Sequence, residues 1–326
     1  MDELSNKSVV CSLFEGHYHY GVAALTNSLY AAGYRGVIFA GYRGDLPPWT
    51  SKAIDNLALG KGGKTLMIRK DLQLHFIPLT TKYHLTNYKP DFMIRLLQGP
   101  AKGTSNIFYF DPDIVISAPW NYFDEWVECG VALCEDVNSP LPQYHPRRAA
   151  WRSYYELKGI VLSFKDSTYA NGGYIGLCRR DEGFLQIWKM IQEEMAPAIG
   201  GLSRSALNGK SLQPKMKGPF SPFGKTDQDA LNAAVEAWTG QVSFVGQEGM
   251  AIKPGVAVMP HALGRPKPWQ WRPLLQAMGG RPPRIVDREY WKNALGIVRA
   301  HPSHVVHQKL IVLRIASLIG RFYKRR

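Results

Sequence analysis

Three apolar segments open the chain in a rhythm that few architectures accommodate. Ser8-Val9-Val10-Cys11-Ser12-Leu13 reads as a buried strand, and residues 21–32 carry Ala23, Ala24, Leu25, Leu29 and Tyr30 at helical spacing. Gly36-Val37-Ile38-Phe39-Ala40 reads as a second strand. A strand, a helix and a strand in such quick succession open a parallel-sheet α/β fold. Further strands are predicted over 74–79, 105–110 and 130–134, with a helix over 91–97. A Gly-rich turn at 169–177 leads into another strand, followed by helices over 183–195 and 227–238, the latter with Thr226 as N-cap. Residues 138–155, rich in Pro, Arg and aromatics, read as an excursion from the sheet, and 200–225 as a mobile loop.

A chain of 326 residues with 45% hydrophobic content can bury a substantial core and is not globally disordered. Cys11, Cys129, Cys134 and Cys178 lack paired metal-ligand spacing and read as reduced thiols of a cytoplasmic protein. The polar start, Met1-Asp2-Glu3-Leu4-Ser5-Asn6, shows no signal peptide, and no apolar run is long enough to span a bilayer.

The stretch richest in chemistry is Ile107-Phe108-Tyr109-Phe110-Asp111-Pro112-Asp113, resuming as Ile114-Val115-Ile116. In an extended strand, residues two apart project from one face, so both carboxylates point the same way. Pro112 cannot donate to a ladder, so the strand ends there or lies at an edge. Two carboxylates beside buried sequence call for a cation, and hard oxygen ligands suit Mg²⁺ or Mn²⁺ with a substrate's phosphates. On spacing alone, a solvated turn is an equally good reading.

Two further stretches shift that balance. Thr226-Asp227-Gln228-Asp229-Ala230-Leu231-Asn232 places acids at a helix N-terminus, where they favour the macrodipole and can face sugar hydroxyls. His261-Ala262-Leu263-Gly264-Arg265-Pro266-Lys267-Pro268-Trp269 offers an imidazole and an ammonium on one stiffened loop, with Gly264 permitting close backbone approach. Together with Asn171-Gly172-Gly173, these segments occur in the order found in glycosyltransferase family eight, which the chain resembles over about residues 8–270. That family includes bacterial lipooligosaccharide α-galactosyltransferases and glycogenin.

The resemblance implies a GT-A fold, a mixed, mostly parallel sheet flanked by helices, and retaining transfer from a nucleotide sugar, UDP-sugars foremost. It implies that Asp111, Asp113 and His261 hold Mn²⁺ (or Mg²⁺), that Lys267 contacts the diphosphate, that Gly264 belongs to the nucleotide-sugar site, and that Asn171, Gly172, Gly173 and Asp227 line the donor sugar. Gln228 and Asp227 would be the catalytic residues, Gln228 sitting beneath the anomeric carbon, where the family is proposed to stabilise an oxocarbenium-like state. The donor-facing basic residue would be Lys89 or Arg95. The family's base-gripping acidic and Asn residues are replaced here by Phe14-Glu15-Gly16-His17-Tyr18-His19-Tyr20. The acceptor would be a cell-surface glycan or glycolipid such as lipopolysaccharide or capsule. The rival enzyme reading, a sugar nucleotidyltransferase, needs a Gly-rich basic loop after the first strand, which 14–20 does not supply. An inactive lectin-like glycan binder is the third reading.

Charge divides the chain into a catalytic domain over 1–270 and a basic extension over 271–326. From Arg265 onward, fourteen basic residues face only Asp287 and Glu289, so this end carries most of the net charge of +14. A nucleic-acid binder would spread its cations along a groove instead. Projected on a helix, Ile311, Val312, Ile315, Ala316, Leu318, Ile319, Phe322 and Tyr323 share one half, while Lys309, Arg314, Arg321, Lys324 and Arg325 share the other. Leu310 and Leu313 fall outside this division. Such a segment fits peripheral attachment to an anionic membrane, here the inner face of the cytoplasmic membrane. Arg147, Arg148 and Arg152, with Trp151, Tyr154 and Tyr155, read equally as an acceptor-binding patch or as a surface loop.

Overall fold

A computed structural model describes residues 7–205 and 220–322 of the chain. Most of the expected loop at 200–225, and Tyr323, Lys324, Arg325 and Arg326 of the tail, lie outside the described residues.

The chain begins as β1 (Ser8–Glu15), α1 (His19–Ala31) and β2 (Gly36–Arg43), as its apolar rhythm requires. A hairpin of β3 (Ile54–Asp55) and β4 (Lys64–Arg69) leads into β5 (Leu72–Pro78), then α2 (Lys89–Gln98) and β6 (Asn106–Phe110). Next come α3 (Trp120–Trp126), β7 (Val131–Cys134), α4 (Pro146–Glu156), β8 (Tyr174–Cys178) and α5 (Gly183–Ile199). Beyond residue 220 lie α6 (Thr226–Ala237), β9 (Val242–Val245), α7 (Pro273–Met278), α8 (Ile285–Asn293) and α9 (Ser303–Ile319).

One sheet unites all nine strands in the order β3-β4-β5-β2-β1-β6-β8-β7-β9. Its centre, β5-β2-β1-β6, is parallel, and β8 then pairs antiparallel with β6. Alternation along β1 feeds two cores. Val9, Cys11 and Leu13 join the cluster that includes α2, α5 and α6, while Val10 and Phe14 join the one that includes Val22, Leu25 and Leu29 of α1. A third cluster links Ala24 of α1 to Trp271, Tyr290 and Trp291, with Val306 and Leu313 of α9.

Several sequence expectations give way to packing. The segment 138–155 holds α4, whose Trp151 and Tyr155 are core residues. Arg148 and Arg152 ion-pair with Glu236, and Arg147 lies 3.7 Å from Asp229, so these arginines have charge partners inside the protein. Ile114-Val115-Ile116 does not resume as a strand. Ile114 instead makes an isolated bridge to His261. Lys225, not Thr226, is the N-cap of α6, and the Asp229 carboxylate reaches back to accept the Lys225 N–H at 2.7 Å. Cys11, Cys134 and Cys178 are buried free thiols, whereas Cys129 is exposed.

α9 starts at Ser303, earlier than the sequence implied, and docks through Val306, Leu313 and Ala316, with Leu310 half-buried. Ala316 therefore turns inward, and Leu313, an exception on the projected wheel, is part of the contact. No helix among the described residues is long and apolar enough to cross a membrane.

Candidate metal and donor site

The carboxyl ends of the parallel strands are where open α/β sheets leave room for ligands. β6 stops at Phe110, and residues 111–114 form a tight turn closed by Ile114 N–H to Asp111 O at 3.0 Å. The two acids thus converge through a turn, not through strand alternation. Gly21, near the start of α1, sits so close to the Pro112 carbonyl that a Cβ there would collide with it. The Asp111 N–H donates to Gly173 O at 2.7 Å, tying this turn to the Asn171-Gly172-Gly173 loop.

His261 arrives from far along the chain by backbone pairing. Val115 N–H donates to Pro260 O at 3.1 Å and Ala262 N–H to Asp113 O at 3.0 Å, flanking the Ile114–His261 bridge. The imidazole Nε2 then lies 3.3 Å from Asp113 Oδ1 and 4.0 Å from Asp111 Oδ2. Donor atoms of all three residues fall within 4.8 Å of one another. Metal–ligand bonds of about 2.1 Å put neighbouring donors roughly 3 Å apart and opposed ones roughly 4 Å apart, so the set fits a Mn²⁺- or Mg²⁺-sized ion. Burial alone would raise the Asp113 carboxyl, yet His261 and Lys267 beside it hold it well below the usual carboxylate range. Lys267 pairs with Asp113 Oδ2 and donates to Ala262 O at 2.7 Å.

Behind the acids lies a buried cation. Lys89 is 1% exposed and reaches Asp111 Oδ1 at 3.0 Å, Asp227 Oδ2 at 3.5 Å and Gly172 O at 2.7 Å. Desolvation acts to lower its pKa, but the two carboxylates prevail and raise it, so it stays charged. Arg95, the other candidate, is exposed and has Gly60 as a neighbour. Tyr109 Oη also donates to Asp111 Oδ1 at 2.9 Å. Two donors on Oδ1 leave Oδ2 as the oxygen on the His261 side.

These residues border a cleft of about 580 Å³, a size suited to a small-molecule ligand. Asp111, Asp113, Asn171, Gly172, Gly173, Asp227, Gln228, His261, Gly264 and Lys267 all line it, whereas Lys89 lies beneath. Gln228 Oε1 accepts the Gly172 N–H at 3.2 Å, while its Nε2 is buried and has no hydrogen-bond partner among the described residues. Asn171 is occupied at both ends, by Asp136 Oδ2 at 2.6 Å and the Gly173 N–H at 2.8 Å. Gly264 has φ +70°, and a Cβ there would meet nothing within 4 Å, so left-handed backbone rather than close approach explains the glycine.

Sequence reasoning missed His84 and Asp136, which also border the cleft, and did not single out Tyr18 within the 14–20 stretch. Tyr18 packs edge-on against Trp269 with ring centroids 5.6 Å apart, and burial with the nearby acids pushes its hydroxyl up to about 12. The signal for Tyr18 was its place in an aromatic run directly after β1.

The loop from His261 to Trp271 is held from outside by the C-terminal helices. Arg284 donates to Leu263 O at 2.9 Å, Trp291 to Pro268 O at 3.2 Å and Lys309 to Trp271 O at 3.1 Å. Each of three carbonyls thus receives one side chain from beyond residue 271.

No protein-family model and no curated protein matches this sequence. Among solved structures, the chain is similar to the galactosyltransferase LgtC in complex with donor and acceptor sugar analogues. The TM-score is 0.51 at 14% identity, covering 93% of this chain and 100% of that one. The glycosyltransferase GlyE of Streptococcus pneumoniae TIGR4 matches at TM-score 0.49 and 13% identity, over 95% of this chain and 64% of that chain. The bifunctional glycosyltransferase WbbM in its apo form gives 0.48 and 12%, over 95% and 53%. This chain therefore spans about half of WbbM and less than two-thirds of GlyE. The likeness to LgtC establishes the fold: a mixed nine-stranded sheet flanked by helices, of the GT-A kind.

Proposed function

We propose that the chain is a metal-dependent, retaining glycosyltransferase of the family-eight type. It would move a sugar from a nucleoside diphosphate, with UDP-sugars the first donors to test, to a cell-surface glycan or glycolipid such as lipopolysaccharide or capsule. The observation that carries this reading is the meeting of Asp111, Asp113 and His261 in a cleft faced by Asp227 and Gln228.

A divalent ion held there, Mn²⁺ in our reading, would supply charge neutralisation to a diphosphate leaving group. The Lys267 ammonium adds to it, within reach once it turns from Asp113. Gln228 Nε2 has donor capacity to offer an oxygen of the sugar, and the Asp227 carboxylate, held by Lys89, can accept from a hydroxyl. Burial raises the Asp227 pKa against the opposing pull of Lys89. The Tyr18 ring and the end of β1 offer a surface to the nucleobase.

The test is UDP release from a panel of UDP-sugars with Mn²⁺, with and without glycan acceptors. Asp113→Ala and His261→Ala should each cut transfer by more than about 100-fold, since partners outside a metal's ligand set are already worth 10–100-fold. Both variants should keep the parent's circular dichroism. Full turnover in either one rules out this site. Glycan binding without UDP release would favour a lectin-like role, and pyrophosphate release from UTP and a sugar phosphate would favour a nucleotidyltransferase.

A further inference from the structure

α9 carries two apolar stripes on opposite sides. At about 100° per residue, Val306, Leu313 and Ala316 fall together and face the body, roughly half a turn away from Ile311, Ile315 and Leu318. The second set is 59%, 45% and 53% exposed, and Phe322, in the short turn that follows α9, is 90% exposed. His307 and Arg314, seven residues apart and both exposed, run along one edge of this outer stripe, and Arg321 is exposed in the turn that follows α9. α7 packs alongside α9, and its Leu275 is exposed, with exposed Arg272 and Arg281 on either side of it in sequence. Acids are nearly absent: after Glu248 the sequence holds only Asp287, buried and paired with Arg284, and Glu289.

We propose that this outer face is a docking surface for an anionic lipid bilayer, with α9 lying in the plane of the headgroups. Apolar side chains backed by cations and no acids match a surface that is apolar within and negative at its rim. A second copy of the chain is a poorer occupant. A two-fold contact through this stripe would set Arg314 and Arg321 against a face equally short of acids. The docking stands apart from the transferase reading. If both hold, the acceptor is a glycan carried on lipid.

The experiment is co-sedimentation of the full chain with phosphatidylglycerol–phosphatidylcholine vesicles and with pure phosphatidylcholine vesicles. Binding should need the anionic lipid. Ile315→Glu with Leu318→Glu should lower it by more than about tenfold, because burial of two apolar side chains is replaced by two like charges. Arg314→Ala and Arg321→Ala should each lower it about fivefold. None of these outward-facing changes should shift the melting temperature, so a loss of binding cannot be laid to unfolding. The proposal falls if the chain does not sediment with anionic vesicles, or if Ile315→Glu with Leu318→Glu sediments like the parent. It falls equally if light scattering shows that the parent is a dimer which those substitutions convert to monomer. Sedimentation is read without any sugar transfer, so its failure leaves the enzymatic reading to its own test.

Discussion

Glycine at position 173 answers to a ring rather than to a turn. A Cβ there would stand 2.9 Å from His261 Nδ1 and equally close to Asn171 Oδ1, so any side chain pushes the imidazole out of place. We expect Gly173→Ala to weaken Mn²⁺ binding by about tenfold or more, comparable to loss of an outer-shell partner, in a titration followed by calorimetry. Asp229 makes a different kind of prediction. Burial raises its carboxyl from 3.8 to about 7, so the folded chain keeps a proton that the unfolded chain has already released. Stability then falls as pH rises between those values. Urea denaturation of Asp229→Asn, compared with the parent, should show the variant gaining relative stability from about pH 4 to about pH 7. Much of the site was legible at this scale because acid, imidazole and amide announce their chemistry. Tyr109, Asp136 and the constraint on Gly21 were not, since each is defined by a partner that only folding supplies.

Among elements, α4 shows how composition can hide a period. Its prolines and arginines suggested an irregular excursion, yet Arg148, Trp151 and Tyr155 stand at helical spacing and form its buried face. Glu236 of α6 is the anion that makes this possible, taking both Arg148 and Arg152. Glu236→Ala leaves a buried guanidinium without its partner and should cost about 3–5 kcal/mol in chemical denaturation. The β3–β4 hairpin was missed for a simpler reason. Its edge strand β3 is two residues long and both are exposed, so no alternation existed to read. α8 supplies the fourth prediction. Trp291→Phe puts a smaller aromatic ring in the place of the indole and removes the N–H on Pro268 O, worth about 1 kcal/mol, so UDP–Mn²⁺ affinity should fall at least about fivefold while the fold survives.

For the molecule as a whole, the strand–helix–strand opening and the order of the motifs led to the right architecture, because a parallel centre leaves few alternatives. The full strand order was out of reach, since β7 pairs with β9 across more than a hundred residues of chain. So was the placing of α7, α8 and α9, whose charge pattern concealed how much of them is interior. The three carbonyls between His261 and Trp271 that α8 and α9 steady have a practical corollary for anyone shortening the protein. A version stopping at residue 271 would retain every cleft-lining side chain, yet the strip bearing His261 and Lys267 would lose its outer scaffolding. Deletion mapping would then score α8 as indispensable although none of its residues borders the cleft.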